Sequence, residues 1–185
     1  MRRIAVLSVL VLAGGLTGSS AAVAAEADPG VDHQWIGVED TFALVLPDGQ
    51  TFTGDEEAPP PEEGIQPGTQ VFIGEALYAT DDGETLGDEI GRTHIECLGQ
   101  AVPDNLVCDI AFVLDSGSQL HGTVHVDFST PPENETDPFQ LDIAVTGGTG
   151  DFSGATGEVA LLDITPTDDP NAEVTTLYEA ALVLP

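Results

Sequence analysis

Positive charge is nearly absent from this sequence. The 185 residues include three Lys and Arg in total, all of them arginine, against 33 Asp and Glu, so the formal net charge is −30. Arg2 and Arg3 lie at the N-terminus, which leaves Arg92 as the one base in the rest of the chain. Contacts to nucleic-acid phosphates and anionic membrane surfaces depend on Lys and Arg. The composition therefore excludes both as partners and is typical of proteins from saline habitats.

Long apolar runs are also missing. The most apolar run, residues 4–16, is too short to span a bilayer, follows Arg2 and Arg3, and precedes the small residues 23–25. This pattern is typical of a secretory signal. We therefore predict a signal peptide over 1–25, a flexible N-terminal tail over 26–35 and one domain over 36–185. The protein is expected to be exported and extracellular, without a membrane partner.

Cysteine is rare, with Cys97 and Cys108 as the two examples. An even count in an exported protein favours a disulfide. The turn signal Pro103-Asp104-Asn105 lies between them, and two strands that fold back there would place the cysteines opposite one another. Two thiols without C-x-x-C spacing or a nearby histidine cluster do not make a metal site. We predict a disulfide and no bound metal.

Helical periodicity is absent, and short β-type runs take its place. They are rich in Val, Ile, Thr, Phe and Leu and are separated by Gly, Pro, Asp and Asn. The eight runs cover 36–46, 70–79, 91–99, 105–114, 118–129, 139–146, 156–164 and 174–184. The runs that begin at 105, 118 and 139 each alternate between an apolar and a polar face. Eight antiparallel strands without helices predict an all-β sandwich or a closed barrel.

Few polar residues share the predicted inward faces, and these are the pocket candidates. Thr93 shares a face with Ile95, and Tyr178 shares one with apolar residues of the last run. In the run 70–79 either Glu75 or Tyr78 points inward, and the alternation does not decide between them. A buried Glu75 would have a raised pKa and could donate or accept a proton, whereas a Glu75 on the surface would do neither.

The other polar groups give weaker evidence for a catalytic or metal site. The alternation places His121, His125, Asp109 and Asp127 on outward faces, which favours a solvated ladder over a catalytic or metal site. The acidic stretch 80–89 lacks the spacing of an EF-hand loop. The segment 54–68 is rich in proline and acid and is predicted to be an exposed loop. No cofactor is predicted.

The stretch "VTGGTGDFSGATGEV", residues 145–159, holds five glycines. It has neither the lysine of a P-loop nor G-x-G-x-x-G spacing, and no helix follows it to hold a phosphate. We predict a connection between two strands, anchored by Phe152 beneath the turn. The residues assigned to this structural motif are Gly147, Gly148, Gly150, Phe152 and Gly157.

The motif "AVTGGTGDFSGATGEV" resembles the signature of the dirigent and allene oxide cyclase-like barrel families. "PGTQVFIGEALYATDDGETLGDEIGRTHIECLGQ" is similar to the second and third strands of bacterial members, and the likeness covers roughly residues 66–164. The resemblance implies an eight-stranded antiparallel β-barrel with an apolar cavity and a homotrimer. Thr156 stands where dirigent motifs often carry arginine, and Thr69 stands where bacterial relatives often have aspartate.

The sequence is compatible with three functions. The resemblance implies a secreted barrel that binds or steers a small apolar molecule, with isomerase or cyclase activity as one option, because both families confine a reactive guest. The small number of charged pocket groups favours a non-catalytic extracellular structural or interaction module. The excess of acid suggests a cation-binding protein.

The charge makes the first testable prediction. Without residues 1–25 the chain would carry 33 acids against Arg92, or 32 net negative charges. Salt screens this self-repulsion, so we expect the free energy of unfolding to rise with ionic strength. The measurement is the melting temperature in NaCl from 0.05 to about 1 M, where the Debye length has fallen to about 3 Å. A melting temperature that stays flat or falls would contradict the prediction.

Overall fold

The structure is a computed structural model that describes residues 33–54, 65–129, 139–166 and 172–185. The predicted signal peptide, most of the predicted tail and residues 55–64 of the predicted loop lie outside the described residues. Within them the chain is almost wholly β-structure, and its one helical element is a single 3-10 turn, Gly150–Phe152. No helix in the described part of the chain is long and apolar enough to cross a membrane.

Nine strands follow one another along the chain. They are β1 (His33–Val45), β2 (Thr51–Thr53), β3 (Gln70–Ala79), β4 (Glu89–Gly99), β5 (Asn105–Leu114), β6 (Gln119–Asp127), β7 (Gln140–Thr149), β8 (Thr156–Asp163) and β9 (Thr175–Val183). From β3 onward each strand pairs antiparallel with the next, and β1 pairs with both β3 and β9. This last pairing closes an eight-stranded antiparallel barrel, which confirms the predicted fold.

The eight predicted runs match the eight barrel strands, with two differences at β1. Its pairing with β9 begins at His33, so the last three residues of the predicted tail belong to the barrel. Residues 33–38 of β1 pair with β9, and on the same side of β1 residues 43–45 pair with the short strand β2. A strand of three residues is too short to show an alternating pattern, which is why sequence analysis did not predict it.

The inward face of the barrel forms the core. Alternation correctly predicted this face in β5, β6 and β7, where Ile110, Phe112, Leu120 and Ile143 are almost fully buried. Partners on β1, β8 and β9 fill the rest of the interior, with Trp35, Val159 and Tyr178 among them. At about 25 cal/mol per Å² of apolar surface, burial of each large side chain contributes on the order of 2 kcal/mol.

The predicted disulfide is present. Cys97 on β4 and Cys108 on β5 are direct cross-strand partners, with their Cα atoms 4.0 Å apart and their sulfurs bonded. Both cysteines point into the core, where they pack beside Ile95 and Ile110. The bridge closes a short hairpin at the turn that the Pro-Asp-Asn signal predicted.

The glycine-rich stretch joins β7 to β8 across one end of the barrel. Its 3-10 turn carries Phe152, which is 3% exposed and packs edge-on against Trp35 and His33. A side chain at Gly148 would meet the Gln119 carbonyl oxygen at 2.5 Å and the Phe152 Cβ at 2.6 Å. Glycine therefore lets the turn press Phe152 onto the core as a plug.

The barrel wall is interrupted beside the first half of β7, on the side that faces β6. The ladder between β6 and β7 ends at the pairs Gly122–Val145 and Thr123–Ala144. Beyond this point β6 pairs with β5, β7 pairs with β8, and no strand pairing across the gap is found among the described residues. We call this interruption, formed by residues 124–127 and 140–143, the seam.

Candidate functional site

Glu75 lies in the middle of β3 and points into the barrel, where it is 2% exposed. Leu77, two residues on, is fully buried on the same face. Of the two alternatives for this strand, the structure therefore takes the one that buries Glu75. A carboxyl group in such surroundings is costly unless it is hydrogen-bonded or neutral.

Tyr78 points outward, so it is not part of the interior, contrary to its selection as a pocket candidate. It pairs with Ile36 of β1, and Ile36 pairs with Leu177 of β9. These two residues are 1% and 3% exposed although they lie on the outer face. The β3–β4 connection covers Leu177, since a Cβ at Gly83 would lie 3.2 Å from Leu177 Cδ2. Both faces of β3 are therefore apolar, which is why alternation could not decide.

Two hydroxyl groups of β9 bind the Glu75 carboxyl group. Tyr178 Oη donates to Glu75 Oε2 at 2.6 Å, and Thr176 Oγ1 donates to Glu75 Oε1 at 3.1 Å. Both donors are buried and lie two residues apart on one face of β9. The sequence pointed to Tyr178 by its inward face. It missed Thr176, although the same period of two could have found it.

Gly37 makes this contact possible. It lies on β1 between β3 and β9, where it pairs with Leu77 on one side and Thr176 on the other. A Cβ at Gly37 would stand 2.5 Å from Glu75 Oε2 and 2.8 Å from its Cδ. The missing side chain therefore leaves the space that the carboxyl group occupies. Sequence analysis did not select Gly37, and an isolated glycine inside a β-run was the available signal.

Thr93 completes the polar group from the opposite side. It is the cross-strand partner of Glu75 on β4 and is fully buried. Its Oγ1 has no hydrogen-bond partner among the described residues, although its proximity still lowers the pKa of Glu75 slightly. Buried hydroxyl groups almost always have a partner, so this atom marks a place for a further polar atom.

The electrostatics of the site follow from its burial. Desolvation raises the pKa of Glu75 to about 7, and the bonds from Tyr178 and Thr176 limit that rise. The negative charge of Asp40 adds a small upward contribution. Burial and the neighbouring Glu75 raise the pKa of Tyr178 well above its usual value of 10. Glu75 therefore exchanges its proton near neutral pH, while Tyr178 keeps its own.

Aromatic rings surround the pair on one side. Phe112 packs edge-on against Tyr178, with ring centroids 5.0 Å apart, and lies 5.4 Å from Trp35. Leu77 and Leu161 add aliphatic wall. The carboxyl group thus sits among apolar side chains, and a molecule bound against it would be held by apolar contacts and a few hydrogen bonds.

The outer face carries the remaining polar candidates. His121 and Asp109 line an open groove of about 300 Å³ with residues of β4 and β7. Arg92 forms an exposed ion pair with Asp40 beside a second groove of about 190 Å³. Asp82 accepts hydrogen bonds from its own connection, from the backbone of Glu84 and Thr85 among others. In the described ranges no three His, Cys, Asp or Glu residues are grouped to hold a metal ion.

Comparison with known proteins gives a structural likeness and no sequence match. No family model and no curated protein matches this chain. The pterocarpan synthase dirigent protein PsPTS1 is 17% identical, with a TM-score of 0.51 over 80% of this chain and 89% of that one. The pterocarpan synthase dirigent protein GePTS1 is 16% identical, with a TM-score of 0.51 over 81% of this chain and 85% of that one.

Structural matches at identities below one fifth establish the fold alone. The chemistry inside each barrel depends on its own residues. The element order, the closed eight-stranded barrel and the glycine connection agree with the resemblance that the sequence motif indicated. The chain has the barrel fold of the dirigent and allene oxide cyclase-like proteins.

Proposed function

We propose that this barrel binds a small apolar molecule in its interior and steers a proton-transfer reaction, such as an isomerisation or ring closure, through Glu75 and Tyr178. The observation that carries the proposal is the fully enclosed Glu75 carboxyl group, held at 2.6 Å by Tyr178 within an apolar wall. Perturbed titratable groups in such surroundings concentrate at functional sites.

The pair suits acid–base chemistry at neutral pH. A group whose pKa lies near the working pH holds both forms in useful amounts, and Glu75 has a pKa of about 7. Tyr178 and Thr176 fix both carboxyl oxygens in place, so the proton moves at a defined position. The surrounding apolar wall excludes water, which strengthens each electrostatic contact with a bound molecule.

Thr93 gives the guest an orientation. Its unpartnered Oγ1 lies across the ladder from Glu75, so a guest with one oxygen or nitrogen atom could bond there. Such a bond would place the adjacent carbon atoms of the guest near the Glu75 carboxyl group. The proposed substrate is therefore neutral and largely apolar, with one polar group.

The names of the two similar structures describe dirigent synthases, which supports a role in steering small-molecule reactions. The disulfide is typical of an oxidising compartment and supports the proposal that the protein is exported. The homotrimer implied by the resemblance stays a prediction.

A second candidate function is a non-catalytic extracellular module with a filled barrel. The close ring contacts of Phe112 with Trp35 and Tyr178 favour it, because these bulky side chains pack against one another inside the barrel. Ligand binding separates the two candidates.

Binding is tested with 1-aminoanthracene, a neutral apolar fluorophore. Trp35 is the sole tryptophan and lies in the core, so energy transfer from Trp35 reports a bound probe. We expect saturable 1:1 binding that is at least threefold tighter at pH 5.5 than at pH 8, because an apolar guest binds better beside a neutral carboxyl group.

In this experiment Glu75→Gln should bind equally well at both pH values, whereas Glu158→Gln, on the exposed face of β8, should keep the dependence on pH. If the wild-type protein shows no saturable binding, the filled-module candidate replaces the proposal. Binding without any dependence on pH would remove Glu75 from the site.

The buried carboxyl group also predicts how stability changes with pH. The pKa of Glu75 rises from 4.5 in the unfolded chain to about 7 in the folded protein, so the folded state binds the proton more tightly. This group's contribution to stability is therefore largest below pH 4.5 and is lost as pH rises through 7. The full loss is about 3 kcal/mol.

Urea unfolding from pH 5 to 8 measures this effect, a range that avoids the pI of about 4.1. We expect Glu75→Gln to lack this contribution, so that its stability relative to wild type improves by roughly 2–3 kcal/mol across the range. Glu158→Gln controls for the general effect of removing one negative charge. If the free energies of unfolding of wild type and Glu75→Gln change in parallel with pH, the pKa of Glu75 is not raised by folding.

A further inference from the structure

The seam is one of two places beside β7 where the described barrel wall lacks a backbone ladder. β7 changes partner along its length: its first half pairs with β8 and its second half with β6. Each half of β7 is therefore paired on one side and lacks a paired strand on the other. The gap between the second half of β7 and β8 holds the 3-10 turn with the buried Phe152, and the gap between its first half and β6 is the seam.

Apolar side chains line both edges of the seam. Val124 and Leu141 face the interior from β6 and β7 and pack against the core, yet both remain partly exposed. Residues in comparable positions on continuously paired strands, such as Ile110 and Val159, are 2% and 0% exposed. Partial exposure is not confined to the seam, since Val145 is also partly exposed where β6 and β7 are paired, but at the seam no ladder hydrogen bond joins the two edges among the described residues.

The core lies directly behind the seam. Ile143, at its inner edge, is fully buried. At its outer end Phe128 and Phe139 stack with ring centroids 6.1 Å apart and an interplanar angle of 12°. The seam is thus flanked by two aromatic faces and two aliphatic side chains, and these are the groups that a flat apolar molecule would contact.

The opposite end of the barrel offers no comparable opening in the described residues. There Phe152 packs against Trp35 and His33 and lies 3% exposed. Because Glu75 is enclosed on every side, a guest must pass through some part of the wall to reach it. Separating side chains at the seam breaks no ladder hydrogen bonds, whereas separating paired strands breaks several.

We propose that the seam is the portal through which a small neutral apolar molecule enters and leaves the barrel interior. This inference rests on the proposed function, since it concerns the route to the same interior site. The excess of acid adds selectivity, because the field of a strongly negative protein repels anions and leaves neutral molecules unaffected.

A disulfide across the seam tests the portal. If the β6–β7 ladder were continued past Thr123–Ala144, His125 and Asp142 would be partners, and both are exposed on the outer face. The variant His125→Cys/Asp142→Cys draws the two edges together. The matched control is Thr123→Cys/Ala144→Cys, a staple between the same two strands where they are already paired.

The probe is 1-aminoanthracene, mixed with each oxidised protein by stopped flow and followed by energy transfer from Trp35. We expect the seam staple to slow association and dissociation at least tenfold while the equilibrium affinity stays near the wild-type value. The control staple should leave both rates unchanged. Equal rates in the two stapled proteins would overturn the portal. If mass spectrometry shows that the seam disulfide does not form, Leu141→Phe narrows the opening instead, leaves Trp35 as the sole tryptophan and should slow association likewise.

The portal remains testable if no probe binds and the proposed function fails. Dissolved oxygen, a small neutral apolar paramagnet, relaxes methyl protons that it can reach. We expect the methyl groups of Val124, Leu141 and Ile143 to relax several-fold faster under oxygen than those of Ile110 and Val159. Equal relaxation of the two sets of methyl groups would refute the portal whatever the binding result.

Discussion

The hydrogen bond from Tyr178 to Glu75 is the contact on which the interior of this barrel depends. It joins β3 to β9, two strands that are neighbours of β1 and not of each other. It therefore spans the strand that closes the barrel, between residues 103 positions apart in the sequence. Gly37 lies beneath it on β1, because any side chain there would occupy the space of the carboxyl group. One polar contact thus determines residue choice on three strands.

The buried carboxyl group lowers stability near neutral pH, where its charged form must be kept among apolar side chains. A hydrophobic residue of similar volume would serve packing better at this position. The protein nevertheless surrounds Glu75 with two donors, leaves the Thr93 hydroxyl without a partner and builds an aromatic wall beside it. This combination fits a site that handles a polar atom on an otherwise apolar guest, and the portal proposed at the seam would give that guest its route.

The alternation of apolar and polar residues and the turn signals predicted much of the fold. Strict alternation in β5, β6 and β7 identified the inward face because the outer face of those strands is solvated. Alternation failed at β3 because Ile36 and Leu177 are buried on the outside of the barrel, so both faces of that region are apolar. The two cysteines and the turn between them predicted a hairpin bridge, which the structure confirms.

The site itself could be predicted only in part. Glu75, Thr93 and Tyr178 were found by asking which polar residues share an inward face. Their convergence depends on barrel closure, which brings together strands that are remote in sequence. Local signals existed for Thr176, which shares the inward face of Tyr178, and for Gly37, a glycine inside a β-run, but neither signal shows that the residue meets the Glu75 carboxyl group. The seam could not be predicted either, because strand propensity does not show where the ladder between β6 and β7 ends.

The most direct test of the account is the titration of Glu75 in the folded protein, followed by the ¹³C chemical shift of its side-chain carboxyl group. Assignment comes from the spectrum of Glu75→Gln, in which that signal is missing. The account predicts a midpoint near pH 7, set by burial against the bonds from Tyr178 and Thr176. A midpoint close to the ordinary glutamate value of about 4.3 would mean that the group is solvated, and the enclosed acid–base site would not exist.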